Sequence, residues 1–596
     1  MNVNNCEQIR KWLEEDLISE DGSDPDDAWS DTEVADIPEN HVLQESHDSE
    51  SEQQAGSDST SDGEEPTRNS QGRTDEISRR GKTYCSKNNF LWHGCPRTTR
   101  SRRRLHNIVS ETPGIRREYR DKINSESSAE DIWNLLFDEN ILNKIIASTN
   151  QHLEKYKCKY EDKSNCYDVD VVELRALFGM LYYSAIFKEN HEDFTNWYSS
   201  DGTGRDIYRS IISKNRLKTL LLALHFDDHT TREERRKTDP AAPITEVFDA
   251  FITNSRSIYC IGTSACVDEM LVAFRGRCKF KMFMPKKPAK YGVKILCLTD
   301  AETGYLHNAY IYVGKDSDGK YLPEEYKIFK KPSQAVLKLA EHIIGSNRNI
   351  TADNWFTSIE LVQELQRKGL TYVGTIKKNQ KEIPAAFKAS PTRPVGSSLF
   401  GFCDDLTLVS YVLKKSKAVI LISSMHHDCT VDSTTKKPEI IMYYNANKFG
   451  VDLLDQRCAN YNTARRTQRW PMAIFYRLLD IGGSNAFIIY NTVHEQKIRR
   501  FDFLKQLAGQ LARPNMMCRA YNHHIPRELR EVIRRILKVP EEKPQGEEKL
   551  EKRKTCYTCD PKKKKRKTFH ACFMCRKPIC VECSQTMCKQ CRINLD

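Results

Sequence analysis

RNITADNWFTSIELVQEL, residues 348–365, is the stretch on which the fold turns. Asn349, Ile350, Thr351 and Ala352 read as a short strand that ends in a bare carboxylate, Asp353. A helical pattern starts almost at once, with Trp355, Ile359, Leu361 and Leu365 on its apolar side. A strand that delivers an acid at its tip and turns into a helix is a unit of mixed α/β folds, which build sites at strand tips. Taken alone, Asp353 is equally a solvated loop residue, so the surrounding chain has to decide.

Upstream, SACVDEMLVAF (264–274), YGVKILCLTD (291–300) and YLHNAYIYVG (305–314) read as three strands, the last two joined at DAETG. SQAVLKLAEHII (333–344) is helical, the helix after Asp353 is closed by Gly369, and TYVGTIK (371–377) is a further strand. The order β-β-β-α-β-α-β describes an antiparallel meander leading into parallel units. A β-rich piece follows: SLFGFCDD (398–405), LTLVSYVLKK (406–415), AVILISSMHH (418–427) and EIIMYYN (439–445). Helical patterns flank all of this, from AEDIWNLLFDENILNKII (129–146) to about residue 260 and again from GVDLLDQRCANY (450–461) through FDFLKQLAGQL (501–511).

The chain has 596 residues, so several domains are expected. Its formal charge of +11 is unevenly placed. Residues 1–65 hold 21 Asp and Glu against 2 Lys and Arg, a net of −19, so the other 531 residues carry +30. A basic body with an acidic tail points to a nucleic-acid binder. Residues 1 to about 110 read as disordered, and Ser49, Ser57 and Ser61, each followed by an acid, suit an acid-directed kinase. No secretory signal opens the chain and no run approaches eighteen apolar residues, so no membrane span is expected, and a reducing cytosolic or nuclear setting is.

Three places put Asp in a context suited to a hard metal. Asp268 lies among apolar neighbours in the first strand, Asp353 ends a later one, and Asp452 and Asp455 open a helix three residues apart, on one face. Phosphodiester cleavage gives a reason for such a set, since two Mg²⁺ ions take oxygen ligands and activate the attacking and leaving oxygens. Taken alone, Asp452 is read first as a helix cap. Spacing leaves both readings open.

The words around these acids close the gap. SACVDEMLVAFRGRCKFKMFMPKKPAKYGVKI (264–295), RNITADNWFTS (348–358), KFGVDLLDQ (448–456) and RRTQRWPMAIFY (465–476) resemble the piggyBac-type transposases, from about residue 110 to the C-terminus. The resemblance implies an α/β RNase H-like catalytic core, a β-rich insertion domain, a flanking all-α DNA-binding and dimerisation domain, and a small C-terminal cross-brace zinc domain. It places the catalytic and metal-holding aspartates at Asp268, Asp353 and Asp452, with Asp455 as a further acidic position. It also implies two Mg²⁺ ions, a homodimer, and excision through hairpin ends with reinsertion at TTAA.

The expected boundaries are an acidic-then-basic disordered region (1–116), helical domain (117–262 and 462–537), catalytic domain (263–379 and 439–461), insertion domain (380–438), linker (538–552) and cysteine-rich domain (553–596). A domesticated nuclear DNA-binding relative without the reaction is the alternative function. A ubiquitin ligase is a third, weakened by the RNase H-like body it leaves unexplained.

Between Arg275 and Lys294 no acid interrupts Arg275, Arg277, Lys279, Lys281, Lys286, Lys287, Lys290 and Lys294, while Phe274, Phe280, Phe283 and Tyr291 interleave. Such a stretch offers cations to phosphates and rings to bases, as do Arg465, Arg466, Arg469 and Trp470. A strand hairpin with one solvated and one core face is the plainer reading.

Of 21 cysteines, eight form four CxxC pairs: Cys556 and Cys559, Cys572 and Cys575, Cys580 and Cys583, Cys588 and Cys591. Four such pairs in a reducing compartment signal two tetrahedral Zn²⁺ sites. Spacing does not fix the pairing. The family's cross-brace implies Cys556, Cys559, Cys580 and Cys583 on one zinc and Cys572, Cys575, Cys588 and Cys591 on the other. Between the first two pairs, Lys562, Lys563, Lys564, Lys565, Arg566 and Lys567 read as a nuclear import signal or a phosphate clamp.

Overall fold

A computed structural model describes residues 43–44, 82–96, 108–159, 165–285, 287–539, 550, 552–559, 566–570 and 577–583. The chain divides into two compact units, Met1–Asn515 and Met516–Asp596.

The first unit is built on one mixed sheet. Across its core the strands run Leu306–Ile311, Tyr291–Asp300, Ser264–Ala273, Asn349–Ala352, Thr371–Thr375. Tyr291–Asp300 is antiparallel to both neighbours, and the last three strands are parallel. This is the RNase H-like arrangement the sequence implied. Nearly every residue of these strands is buried, as expected of a sheet covered on both faces, which is why their sequences read as apolar runs rather than alternations. The sheet does not stop there. Lys417–Ser423 pairs antiparallel with Thr371–Thr375, and Leu406–Lys414 and Ser398–Cys403 follow as a meander. The β-rich piece therefore continues the core sheet.

Three expectations are corrected. Residues 82–96 belong to the ordered structure. Thr83–Cys85 and Leu91–His93 form a hairpin that pairs with the insertion sheet at His93 and Phe402. Trp92 is wholly buried there, and its Nε1 donates to the Glu382 carbonyl at 2.9 Å. Strands of three residues in a polar stretch are too short to show periodicity. Leu43–Gln44 likewise pairs, parallel, with Met282–Phe283.

EIIMYYN, read as strand, is a helix, Glu439–Asn447. Pro438 precedes it with extended backbone, and Ile440, Ile441 and Tyr444 recur at helical spacing, burying themselves against Val373, Val409 and Leu421 of the sheet. The aromatic and β-branched composition favoured a strand, and packing overrode it.

The Trp470–Val493 helix is long and apolar enough to cross a bilayer by length and composition, although 94% of that window is buried inside the protein, as in a core helix. It packs closely because Gly482 has no side chain: a Cβ there would meet Phe137 at 2.4 Å. Phe137 stacks on Trp133 at 4.6 Å, whose Nε1 donates to the Tyr182 hydroxyl, which in turn donates to the Leu479 carbonyl. This chain of contacts ties Trp133, Phe137 and Tyr182 to the Trp470–Val493 helix.

In the second unit, Arg527–Leu537 is helical, and Lys554–Thr555 pairs with Lys567–Thr568 beside the cysteines.

Candidate functional site

Strand register brings two of the predicted acids together. Asn349–Ala352 pairs with the Asp268 strand rung by rung, ending at Ala352 opposite Val267. Asp353 and Asp268 are the next residue on each strand, and neighbouring strands lie about 4.8 Å apart. Asp353 then leaves the sheet. Its Oδ1 accepts from Trp355 N at 2.9 Å and its carbonyl accepts from Thr357 Oγ1, a turn that aims the chain into the Ile359–Arg367 helix.

Asp452 arrives from the helix Gly450–Asn460, which lies on the Asp268 strand. Gly450 makes that approach possible: a Cβ there would stand 2.6 Å from Thr299 Oγ1 and 2.9 Å from Cys266 Cβ. Cys266 Sγ donates to the Lys448 carbonyl at 3.0 Å and pins the entry to this helix. Asp455 pairs with Arg477 of the following helix at 3.2 Å.

The acids are crowded. Burial pushes the Asp268 carboxyl well above the usual range, and Glu269 and Asp452 push it further while Lys287 opposes them. Burial also raises Glu269, with Lys287 and Lys294 opposing and Asp353 adding to the rise. Burial alone would lower Lys287, but Asp268, Glu269, Asp452 and Asp455 around it outweigh this and hold its ammonium above the ordinary value. A centre of oxygen donors with excess negative charge fits hard divalent ions, which would be held by Asp268, Asp353 and Asp452.

The basic stretch separates on inspection. Arg275, Arg277, Lys279 and Lys290 are exposed, Lys281 is half-buried and donates to the carbonyls of Arg275 and Gly276, and Lys286 lies outside the described residues. Lys294 is fully buried, 4.4 Å over the Trp355 ring and 5.0 Å from that of Tyr312. It is a core cation that fixes the residue after the Asp353 turn, which corrects its reading as a phosphate contact.

Of the second cluster, Arg466 is exposed. Arg465 donates to the carbonyls of Glu189 and Glu192, and Arg469 to those of Leu222 and Leu224. Trp470 is buried edge-on against Phe280, centroids 5.0 Å apart, so it is a packing residue rather than an open stacking face.

In the second unit, ligand atoms of Cys556, Cys559, Cys580 and Cys583 all lie within 4.8 Å of one another. Cys559 Sγ stands 3.7 Å from Cys583 Sγ and 3.8 Å from Cys580 Sγ, and Cys580 N donates to Cys556 Sγ at 3.2 Å. A tetrahedron with Zn–S bonds of about 2.3 Å has edges of about 3.8 Å, so the first and third CxxC pairs fit one zinc. Cys572, Cys575, Cys588 and Cys591 lie outside the described residues, as do Lys562, Lys563, Lys564 and Lys565.

Sequence reading missed Glu269 and Arg477. Glu269 stood beside Asp268 in a strand whose other residues are apolar, and Arg477 interrupts the apolar run AIFYRLL, so both carried a signal as charges without an evident solvent face.

Residues 128–487 match the model of a family described as Transposase IS4. Among curated proteins, the human PiggyBac transposable element-derived protein 3 is 22% identical over 405 residues, covering 63% of this chain and 63% of its own length. Human PiggyBac transposable element-derived protein 5 is 20% identical over 411 residues, 65% of this chain and 76% of that protein. Among solved structures, a piggyBac transposase synaptic complex with hairpin DNA is similar at 34% identity with a TM-score of 0.67, covering 80% of this chain and 100% of that one.

Proposed function

This chain belongs to the piggyBac-type transposase family, and from that premise we propose that it is an active cut-and-paste enzyme that excises its own element through hairpin ends and reinserts it at TTAA. The observation that carries the reading is the strand register that sets Asp353 beside Asp268, with the Asp452 helix laid across the same strand on Gly450.

Mg²⁺ held there would supply Lewis acidity and an activated oxygen nucleophile for strand cleavage and transfer. The chain's own residues do the positioning. Asp268, Asp353 and Asp452 hold the charge that gathers the ions. Gly450 and Cys266 fix the height of the Asp452 helix over the sheet. Arg477 holds Asp455 at the rim, which makes Asp455 an orienting acid. Arg275, Arg277, Lys279 and Lys290 present exposed cations to DNA phosphates, following directly from the Asp268 strand. Action as a homodimer in the nucleus, zinc in the C-terminal module and recognition of element ends by that module complete the proposal.

The test is cleavage of the element's own terminal DNA by purified protein with Mg²⁺. Nicks converting to hairpins support the reading, and their absence from wild-type protein that binds the ends overturns it. The second reading, a DNA-binding relative without the reaction, draws on the human relatives being element-derived proteins. Inverted repeats bounded by TTAA around the coding sequence separate the two.

A further inference from the structure

The Asp268 strand carries a defect in its pairing. Asn349–Ala352 leaves the sheet after Ala352, so the backbone of the Asp268 strand beyond Val267 loses its partner on that side. The vacated carbonyl of Glu269 is taken by a side chain: Lys287 Nζ donates to it at 3.1 Å. Lys287 is delivered by a tight turn in which its N–H donates to Met284 O and its carbonyl accepts from Lys290 N. Its side chain is only 22% exposed, too withdrawn for a general phosphate hook. The carboxylates it faces are Asp268, Glu269, Asp452 and Asp455. Of the other nearby cations, Arg477 pairs with Asp455, and Lys294 lies over the Trp355 and Tyr312 rings while its charge also acts on Glu269.

Glu269 completes the picture. It is buried, Lys287 Nζ stands 3.9 Å from its Oε1, just beyond hydrogen-bond reach, and its Oε2 has no hydrogen-bond partner. A buried carboxylate oxygen without a donor is costly unless a cation can reach it.

We propose that Lys287 is a resident counter-cation of the aspartate centre, a positioning residue that holds the carboxylates together before divalent ions bind and yields to them by swinging onto Glu269. The swing is short, since the ammonium is already anchored on the same residue's carbonyl. Divalent charge arriving at Asp268, Asp353 and Asp452 repels the ammonium, and Glu269 is the anion placed to receive it. The inference rests on the metal-holding reading of those aspartates and adds a role to two residues outside that set.

The experiment measures Mn²⁺ binding directly, by paramagnetic resonance of free Mn²⁺, on the full chain without DNA. Wild type is compared with K287M, K287R and E269Q. Removing a competing unit charge a few ångströms from the ions tightens binding, so K287M is expected to bind about tenfold more tightly. K287R keeps the charge and stays near wild type. E269Q leaves the displaced ammonium without its second anion and binds several-fold more weakly. In metal-free buffer K287M melts below wild type, and Mn²⁺ restores it. Equal or weaker Mn²⁺ binding by K287M overturns the proposal. Should K287M fail to fold, E269Q decides: unchanged affinity in that variant overturns it. Wild-type protein with no Mn²⁺ site that D353N abolishes is a different result, since it removes the metal reading itself.

Discussion

The aspartate centre and the cysteine cluster are both collections of ligands, yet they are assembled in opposite ways. Asp268, Asp353 and Asp452 come from two parallel strands and a helix separated by 85 and 99 residues, and a buried sheet with helices on it brings them together. Cys556, Cys559, Cys580 and Cys583 sit within 28 residues, in a segment whose strands are two residues long and which has few buried apolar side chains among its described residues. In the first case the fold itself gathers the acids, and burial and Lys287 bear on their charge. In the second the described residues offer the thiols little fold to rely on, and zinc, on the function proposed above, would supply it.

The sharpest way to break this contrast is to withdraw metal from the whole chain. A strong chelator is expected to release zinc and unfold the cysteine module, since structural zinc is worth about 10–16 kcal/mol to such segments, while the melting transition of the RNase H-like body stays in place. Zinc release followed with a chromogenic indicator, beside calorimetry, checks it. A joint loss of both transitions would erase the distinction.

Next in size is Asp353→Asn, which keeps shape and loses ligand charge. Cleavage of end DNA is expected to fall by at least about a thousandfold with binding retained, as removal of a metal-holding charge should do. Gel assays of nicking and mobility shift read the two separately. Gly450→Ala sharpens the point that geometry and charge both matter. Its methyl would press on Thr299 and Cys266, lifting the Asp452 helix, and overpacking of this kind costs about 1–3 kcal/mol. Cleavage should drop about tenfold or more with little change in DNA affinity.

A further effect is one of pH. Burial raises the Asp480 carboxyl to about 7, against the opposing pull of Arg477 and of the N–H and hydroxyl of Thr463. A group raised in the folded state stabilises below its unfolded value, near 4, and loses that contribution as pH rises through about 7. The unfolding free energy of the body, from denaturant titrations, is therefore expected to fall between pH 4 and 7.5 by at most about 4 kcal/mol, and Asp480→Asn should flatten the slope.

The same contrast explains what could be read in advance. The CxxC pairs are visible as spacing because ligands on one local segment must be close in sequence. The aspartates are invisible to spacing because register does the joining, and only the long composite resemblance around them placed all three. The core strands were legible as apolar runs, and the Asp353 strand-to-helix turn was legible from Gly369 and the helical period. The Glu439–Asn447 helix was not, since its composition argues for a strand and only packing on Val373 and Leu421 settles it. Lys294 was misread for a related reason: one-dimensional charge patterns do not reveal which cation is roofed by Trp355.

Trp92 shows how far the body extends toward the N-terminus. With its ring sealed in and its indole N–H on Glu382, Trp92→Ala is expected to cost about 3–5 kcal/mol, read from chemical unfolding. Its hairpin is the outermost rung of a ladder that runs without interruption back to the Asp268 strand. In engineering terms that ladder is a cantilever. Force applied to the hairpin would pass along backbone hydrogen bonds through Thr371–Thr375 into the strand that leads to Asp353. A load on the insertion would therefore be felt at the Asp353 end of that strand.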